Sequence, residues 1–333
     1  MEQVEPLMPL VIDFHAHMLE KDVLAQAQGK TVLTGFGTRQ PPIVDGPKRT
    51  AMFEKMLDPK VQIADMDHRG VDVHVISSST VIQGTSWADA TTELDLVRRV
   101  NDCAAAWCAA YPKRFVGSFV LPLQDVDLSL REMERATRAL KLCVANLSAS
   151  YAGHYLGHAR FHPFWEAATR AGVTVFIHPE GVKDLWFQDF GLWNSVGQPI
   201  EEAKVMSSII YEGIFDRFPD VKIVMAHGGG YLPHYFGRLD RNVTNMPAST
   251  KNISRKPSEY LRSFYYDTCT YSASVTEALV RRVGADRLVM GSDYSVGDPD
   301  PLASVKEVAN IGEKDFPLVT GGTAAKLLGL ETP

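Results

Sequence analysis

The chain has 333 residues, 45% of them hydrophobic and 22% charged, a composition that excludes disordered and fibrous classes and supplies enough apolar chain for one large core. Its formal net charge of −6 leaves no electrostatic footprint for nucleic acid, so an anionic small substrate must be met by individually placed cations. Four cysteines without a CxxC pair, no basic leader region before the first apolar run and no stretch near 18 apolar residues predict reduced thiols, a cytoplasmic location and no membrane span.

In chain order, short β-branched runs alternate with helical periodicity. The predicted strands are Leu10–Phe14, Val71–Ser77, Phe115–Leu121, Leu140–Leu147, Val173–Ile177, Val221–Ala226, Phe264–Thr268 and Leu288–Gly291. The intervals are long enough for crossover helices, so the strands are expected to be parallel. Helix signals support two intervals: Asp127 is the expected N-cap before Leu128, and Pro163 opens a helix over Phe164–Ala171 that Gly172 closes. Eight such units predict an α/β fold of the (β/α)8 TIM-barrel type, with residues 1–333 as a single domain and an insertion at about 20–59 after the first strand. A second irregular stretch, Glu180–Gln198, carries Trp186, Phe187, Phe190 and Trp193 and reads as a site wall or lid.

Chemistry concentrates where these strands end. The first closes on Asp13-Phe14-His15-Ala16-His17, and residues two apart on an extended backbone point the same way, so both imidazoles can face one ion. The fifth strand delivers His178, the sixth His227, and the eighth is followed by Ser292 and Asp293. Four imidazoles and a carboxylate on the C-terminal face of a barrel converge where active sites of this fold are built. Three nitrogens and one oxygen suit zinc, with manganese or iron as alternatives, over calcium or magnesium. His15, His17, His178 and Asp293 are therefore assigned as ligands and His227 as the general acid/base, with Asp293 a second proton-handling group. Gly228-Gly229-Gly230 either admits backbone to the site or makes a tight turn. His74, inside strand two, and His68, His154, His158 and His162 are expected in ordinary structural roles. Arg49, in the long first loop, and Arg238, after His227, have the fork geometry that carboxylates need, as have many surface arginines.

Together, Asp13-Phe14-His15-Ala16-His17, Ile177-His178-Pro179, Ala226-His227-Gly228-Gly229-Gly230 and Gly291-Ser292-Asp293-Tyr294 resemble the amidohydrolase superfamily. The chain looks like the branch typified by α-amino-β-carboxymuconate-ε-semialdehyde decarboxylase, and Leu57-Asp58-Pro59, Pro122-Leu123-Gln124-Asp125 and Pro257-Ser258-Glu259-Tyr260 extend the likeness over nearly its whole length. The resemblance implies a zinc-dependent decarboxylase in which Arg49 and Arg238 grip substrate carboxylates, Arg238 across a homodimer interface. Where binuclear members carry a modified lysine after strand four, this chain has Cys143-Val144-Ala145-Asn146, so one ion is expected. Two departures, Glu180-Gly181 after His178-Pro179 and Ser295 after Tyr294, fall at pocket-lining positions; Glu180, and Trp193 among the aromatics of the irregular stretch, are the residues expected to touch substrate.

The expected reaction is non-oxidative decarboxylation of a small aromatic, heteroaromatic or unsaturated acid. The same residues could instead hydrolyse a C–N, C–O or C–C bond, because both reactions use an electrophile-binding ion and a proton carrier.

Overall fold

The computed structural model describes residues 10–31, 47–78, 87–182 and 184–331. Eight strands pair in sequence order, every pairing parallel: β1 (Ile12–Met18), β2 (Val73–Ser78), β3 (Phe115–Phe119), β4 (Val144–Leu147), β5 (Thr174–Ile177), β6 (Lys222–Met225), β7 (Tyr265–Asp267) and β8 (Leu288–Val289). Contacts between the first strand and the segment following the last close the ring. Phe14 N donates to Met290 O at 2.8 Å, His17 N to Tyr294 O at 2.7 Å, and Ala16 bridges Tyr294 in parallel. This is the expected (β/α)8 barrel.

Two apolar layers hold it together. Inside the ring, Ile12, Phe14, Val75, Val144, Phe176, Val224 and Val289 form one cluster, plugged by Ala324, Ala325 and Leu327 of the helix Thr323–Leu328. A larger cluster fills the space between the outer strand faces and the helices, with Trp165, Phe164, Met206, Ile210, Tyr266 and Leu279 among its members. Burial on both strand faces explains why the strands read as continuous apolar runs rather than alternating ones.

Three local expectations are corrected. Strand four begins at Val144, not Leu140: Leu140 N and Leu142 N still bond to Arg135 O and Ala136 O of the preceding helix, and Lys141 turns through φ 60°. These residues close the helix Val126–Arg138 instead of entering the sheet. That helix is capped by Asp125, whose carboxylate accepts from Leu128 N, and Asp127 lies in the first turn. The first strand continues to Met18, so His15 and His17 lie within it. By contrast, Pro163 and the left-handed Gly172 bracket the helix His162–Ala171 as expected.

Parallel pairing of β1 with β2 shifts register between Asp13 and Ala16. Strict alternation would point either Phe14 or His15 away from the barrel axis. The irregularity lets Phe14 pack edge-on to Phe176 at 5.8 Å while His15 reaches the same ring at 5.1 Å. The buried Asp13 fastens the distortion, its Oδ1 accepting from both His15 N and Ser292 N at 3.0 Å and its Oδ2 from the Ser292 hydroxyl.

Candidate metal centre

On each contributing strand, the inward parity that fills the barrel with apolar side chains delivers a polar one at the C-terminal edge. Phe176 is inside, and two residues on comes His178; after the shift in β1 come His15 and His17. One ligand atom from each of His15, His17, His178 and Asp293 lies within 4.8 Å of every other, and all four residues are buried. His15 Nε2 and His17 Nε2 are 3.3 Å apart, and Asp293 Oδ1 is 2.9 Å from His17 Nε2 and 3.4 Å from His15 Nε2. It is the one cluster with such geometry among the described residues.

The partners behind these groups aim them. Asp267 Oδ2 takes His15 Nδ1 at 2.6 Å, and the Ser77 hydroxyl bonds His17 Nδ1 at 3.2 Å, which leaves both Nε2 atoms facing the common point. Asp267 is fully buried, and its other oxygen accepts from Gly228 N and Cys269 N at 3.0 and 3.1 Å. Burial, reinforced by the neighbouring imidazoles, holds His178 well below the ordinary histidine range and therefore neutral. Burial likewise lowers His15, against the pull of Asp293 and Asp267. For Asp293, burial alone would raise the carboxyl, but His15, His17 and His227 keep it well below the usual carboxylate range. Neutral imidazole nitrogens and an ionised carboxylate are the protonation states that a cation requires. The donor set fits one divalent transition ion. Asn146, near the position of a bridging lysine in binuclear centres, is a buried neutral amide that accepts from the Ser78 hydroxyl.

His227 stands beside this cluster. Its ring centroid is 5.2 Å from that of His15 and 5.0 Å from that of His178, and its Nε2 is 3.9 Å from Asp293 Oδ2. It is the first residue after Met225-Ala226 and turns left-handed at φ 49°, followed by three glycines with φ 61°, 76° and 61°. A Cβ on Gly230 would stand 2.6 Å from Glu202 Oε2, so the run also admits Glu202 to the imidazole. Glu202 Oε1 holds His227 Nδ1 at 2.5 Å. Burial works to keep His227 neutral, but the carboxylates of Glu202 and Asp293 prevail and raise it well above its ordinary value. Burial in turn pushes Glu202 up to about 7, offset in part by His227.

The remaining sequence candidates occupy different settings. Arg49 falls in the first turn of the helix Pro47–Leu57, and its side chain lies outside the described residues. Arg238 is exposed on the helix Gly237–Asn245, which has no fully buried residue, although Leu239 packs half-buried against the core. Trp193 is only 8% exposed and packs against the backbone of Gly181. Glu180 is partly buried and lines a cavity of about 270 Å³ with Ser148, Ser150, Val182 and Glu201. His74 is fully buried with Nδ1 bonded to Gln62 at 2.8 Å, the structural role expected of it.

Sequence reasoning missed Asp267 and Glu202. Asp267 follows Tyr265 by two residues on the inward parity of β7, where a charged residue needs a partner. Glu202 shares the buried face of the helix Gly197–Tyr211 with Gln198, Val205, Met206 and Ile209, and a carboxylate at that spacing is the signal that could have found it.

A strand-end cluster of three imidazoles and a carboxylate, with a carboxylate-backed histidine beside it on a (β/α)8 barrel, defines a metal-dependent barrel enzyme. A family model described as Amidohydrolase matches residues 12–330, and the chain belongs to that family. Among its relatives, 2-amino-3-carboxymuconate-6-semialdehyde decarboxylase of Dictyostelium discoideum is 29% identical over 97% of this chain and 92% of its own length. The 6-methylsalicylic acid decarboxylase of Penicillium expansum is 30% identical over 72% of this chain and 76% of its own. Among solved structures, 5-carboxyvanillate decarboxylase from Sphingomonas paucimobilis superposes with a TM-score of 0.85 at 28% identity, covering 97% of this chain and 99% of that one. A dihydroxybenzoic acid decarboxylase from Polaromonas sp. JS666, with bound manganese and 2-nitroresorcinol, shares the fold at a TM-score of 0.82 and 24% identity, with 97% of each chain covered.

Proposed function

We propose that this chain is a zinc-dependent carboxy-lyase that decarboxylates a small aromatic, heteroaromatic or unsaturated carboxylic acid without an oxidant. The observation that carries the reading is the meeting of His15, His17, His178 and Asp293 within 4.8 Å of one another, with the His227–Glu202 pair alongside. Its direction toward decarboxylation, within a family that also contains hydrolases, is supported by relatives that are decarboxylases of aromatic or unsaturated acids. Three nitrogens and one oxygen favour zinc, and manganese, present in the Polaromonas structure, is the alternative ion.

When bound, the ion supplies a Lewis acid for a substrate oxygen and a positive charge beside the developing carbanion. The chain's own residues supply the rest. Release of carbon dioxide breaks one C–C bond and leaves its electron pair on the substrate carbon, where a proton must replace the carboxylate. His227 carries that proton on Nε2, with Glu202 on Nδ1 fixing the ring and favouring its charged form. Asp293 is the second proton-handling group, beside the ion. Arg49 and Arg238 orient substrate carboxylates, Glu180 and Trp193 shape the pocket wall, and residues 1–333 act as one domain. Arg238 reaches the neighbouring site of a homodimer: no residue of its helix is fully buried at home, and Tyr231, Tyr235 and Met246 are exposed around it.

Metal-loaded protein is to be incubated with a panel of ortho-hydroxy and ortho-amino aromatic acids and muconate semialdehydes while carbon dioxide is measured. The reading predicts stoichiometric release from at least one class. A hydrolytic product formed without carbon dioxide would contradict it. Sedimentation tests the dimer, and mixing His227→Asn with Arg238→Ala chains tests the shared site: recovered activity is expected if Arg238 acts across the interface.

A further inference from the structure

Asp293 has two oxygens in different company. Oδ1 faces His17 Nε2 at 2.9 Å and His15 Nε2 at 3.4 Å. Oδ2 accepts a hydrogen bond from the Tyr271 hydroxyl at 2.9 Å, closer than His227 Nε2 at 3.9 Å. Tyr271 comes from the segment between β7 and the helix Ala273–Val283, and its placement is unusual in three respects. It is 64% exposed, so apolar burial does not fix its ring; it holds a left-handed φ of 58°; and its hydroxyl is nevertheless turned inward to a buried carboxylate. The backbone opposite is equally close: a Cβ on Gly297 would meet the Ser292 carbonyl first, then the Asp293 Cβ at 2.6 Å and that hydroxyl at 2.9 Å.

We propose that Tyr271 is a positioning residue for the metal centre. Its hydroxyl occupies Asp293 Oδ2, so the carboxylate presents Oδ1 alone to the ion, and His227 Nε2 is kept free for substrate instead of being drawn onto Asp293. The proposal rests on reading His15, His17, His178 and Asp293 as ligands. Without the hydroxyl, Oδ2 turns either to the ion or to His227. The first alters the coordination that the histidines are set for, and the second removes the proton carrier from its working position.

The test compares wild type with Tyr271→Phe and Tyr271→Ala. Dissociation constants for Zn²⁺ are to be measured by chelator competition, and kcat and KM at saturating metal. Partners behind metal ligands typically set affinity by about 10- to 100-fold. The expected result is a loss of that order in Tyr271→Phe and Tyr271→Ala alike, and a kcat lowered at little changed KM. Wild-type affinity in Tyr271→Phe with a loss only in Tyr271→Ala would overturn the proposal, since the ring and not the hydroxyl would then matter. Equal affinity in all three proteins would overturn it as well. Wild type that binds no Zn²⁺ would overturn the ligand assignment itself, an outcome distinct from both.

Discussion

His227 and Asp293 both hold positive φ angles, 49° and 56°, without being glycine. A left-handed backbone at such residues costs free energy and persists where surrounding contacts over-determine it, which is common at working sites. On the proposed reading, those contacts divide the labour between groups that hold and groups that react. His178→Ala removes one of four ligands and is expected to lose metal and activity together, read as metal content after dialysis. His227→Asn is expected to retain metal and lose roughly 10²- to 10⁴-fold in kcat, the usual worth of a general acid. A fall in metal content in both variants alike would contradict the separation of roles. Glu202→Gln keeps the shape at 2.5 Å from His227 Nδ1 but removes the charge that raises the imidazole; it is expected to retain metal and lose about 10- to 100-fold in kcat.

At the scale of elements, the site depends on the register shift in β1 and on the seam between β1 and the segment after β8. Asp13 ties both, and Asp13→Ala would leave the buried amides of His15 and Ser292 without their acceptor. A loss of roughly 2–4 kcal/mol in denaturant-unfolding stability is expected, together with weaker metal binding. An unchanged midpoint would show that the seam holds without it. Much of this level is legible in the sequence. Strand ends, the His15–His17 pair, His178, His227 and Asp293 follow from apolar runs stopping at polar residues, a signal local to each strand. The register shift is not legible, because it arises from pairing with β2, 61 residues away for Asp13 and His74. Glu202 and Asp267 escape for the same reason. Each is recognisable as special only once the fold places it 2.5 or 2.6 Å from a histidine distant in sequence. Leu140–Cys143 misleads in the opposite way, since apolar residues that close a helix look like the start of a strand.

For the whole molecule, the barrel that focuses these groups also carries a buried histidine away from the cluster. His74 is lowered to about 3 by burial first, with Arg69 and Arg114 acting in the same direction and Asp65 opposing them. The folded chain therefore refuses a proton that the unfolded chain accepts near 6.5. Its stability is fully expressed above pH 6.5 and is lost as pH falls toward 3, by up to about 1.4 kcal/mol for each pH unit. Urea unfolding of wild type and His74→Gln at a series of pH values between 7 and 4 should show a shallower loss in the variant, and parallel curves would contradict the assignment.

The barrel and its amidohydrolase family explain where the chemistry sits, while the proposed pairing of one ion site with His227 as proton carrier assigns what it does. The most direct measurement is turnover in D₂O of whichever acid releases carbon dioxide, with the product followed by proton NMR and mass spectrometry. The account predicts one deuterium, at the carbon that carried the lost carboxylate, and a fall in turnover of roughly 10²- to 10⁴-fold in His227→Asn that still holds its metal. Product with deuterium elsewhere or none, or undiminished turnover in that variant, would contradict it.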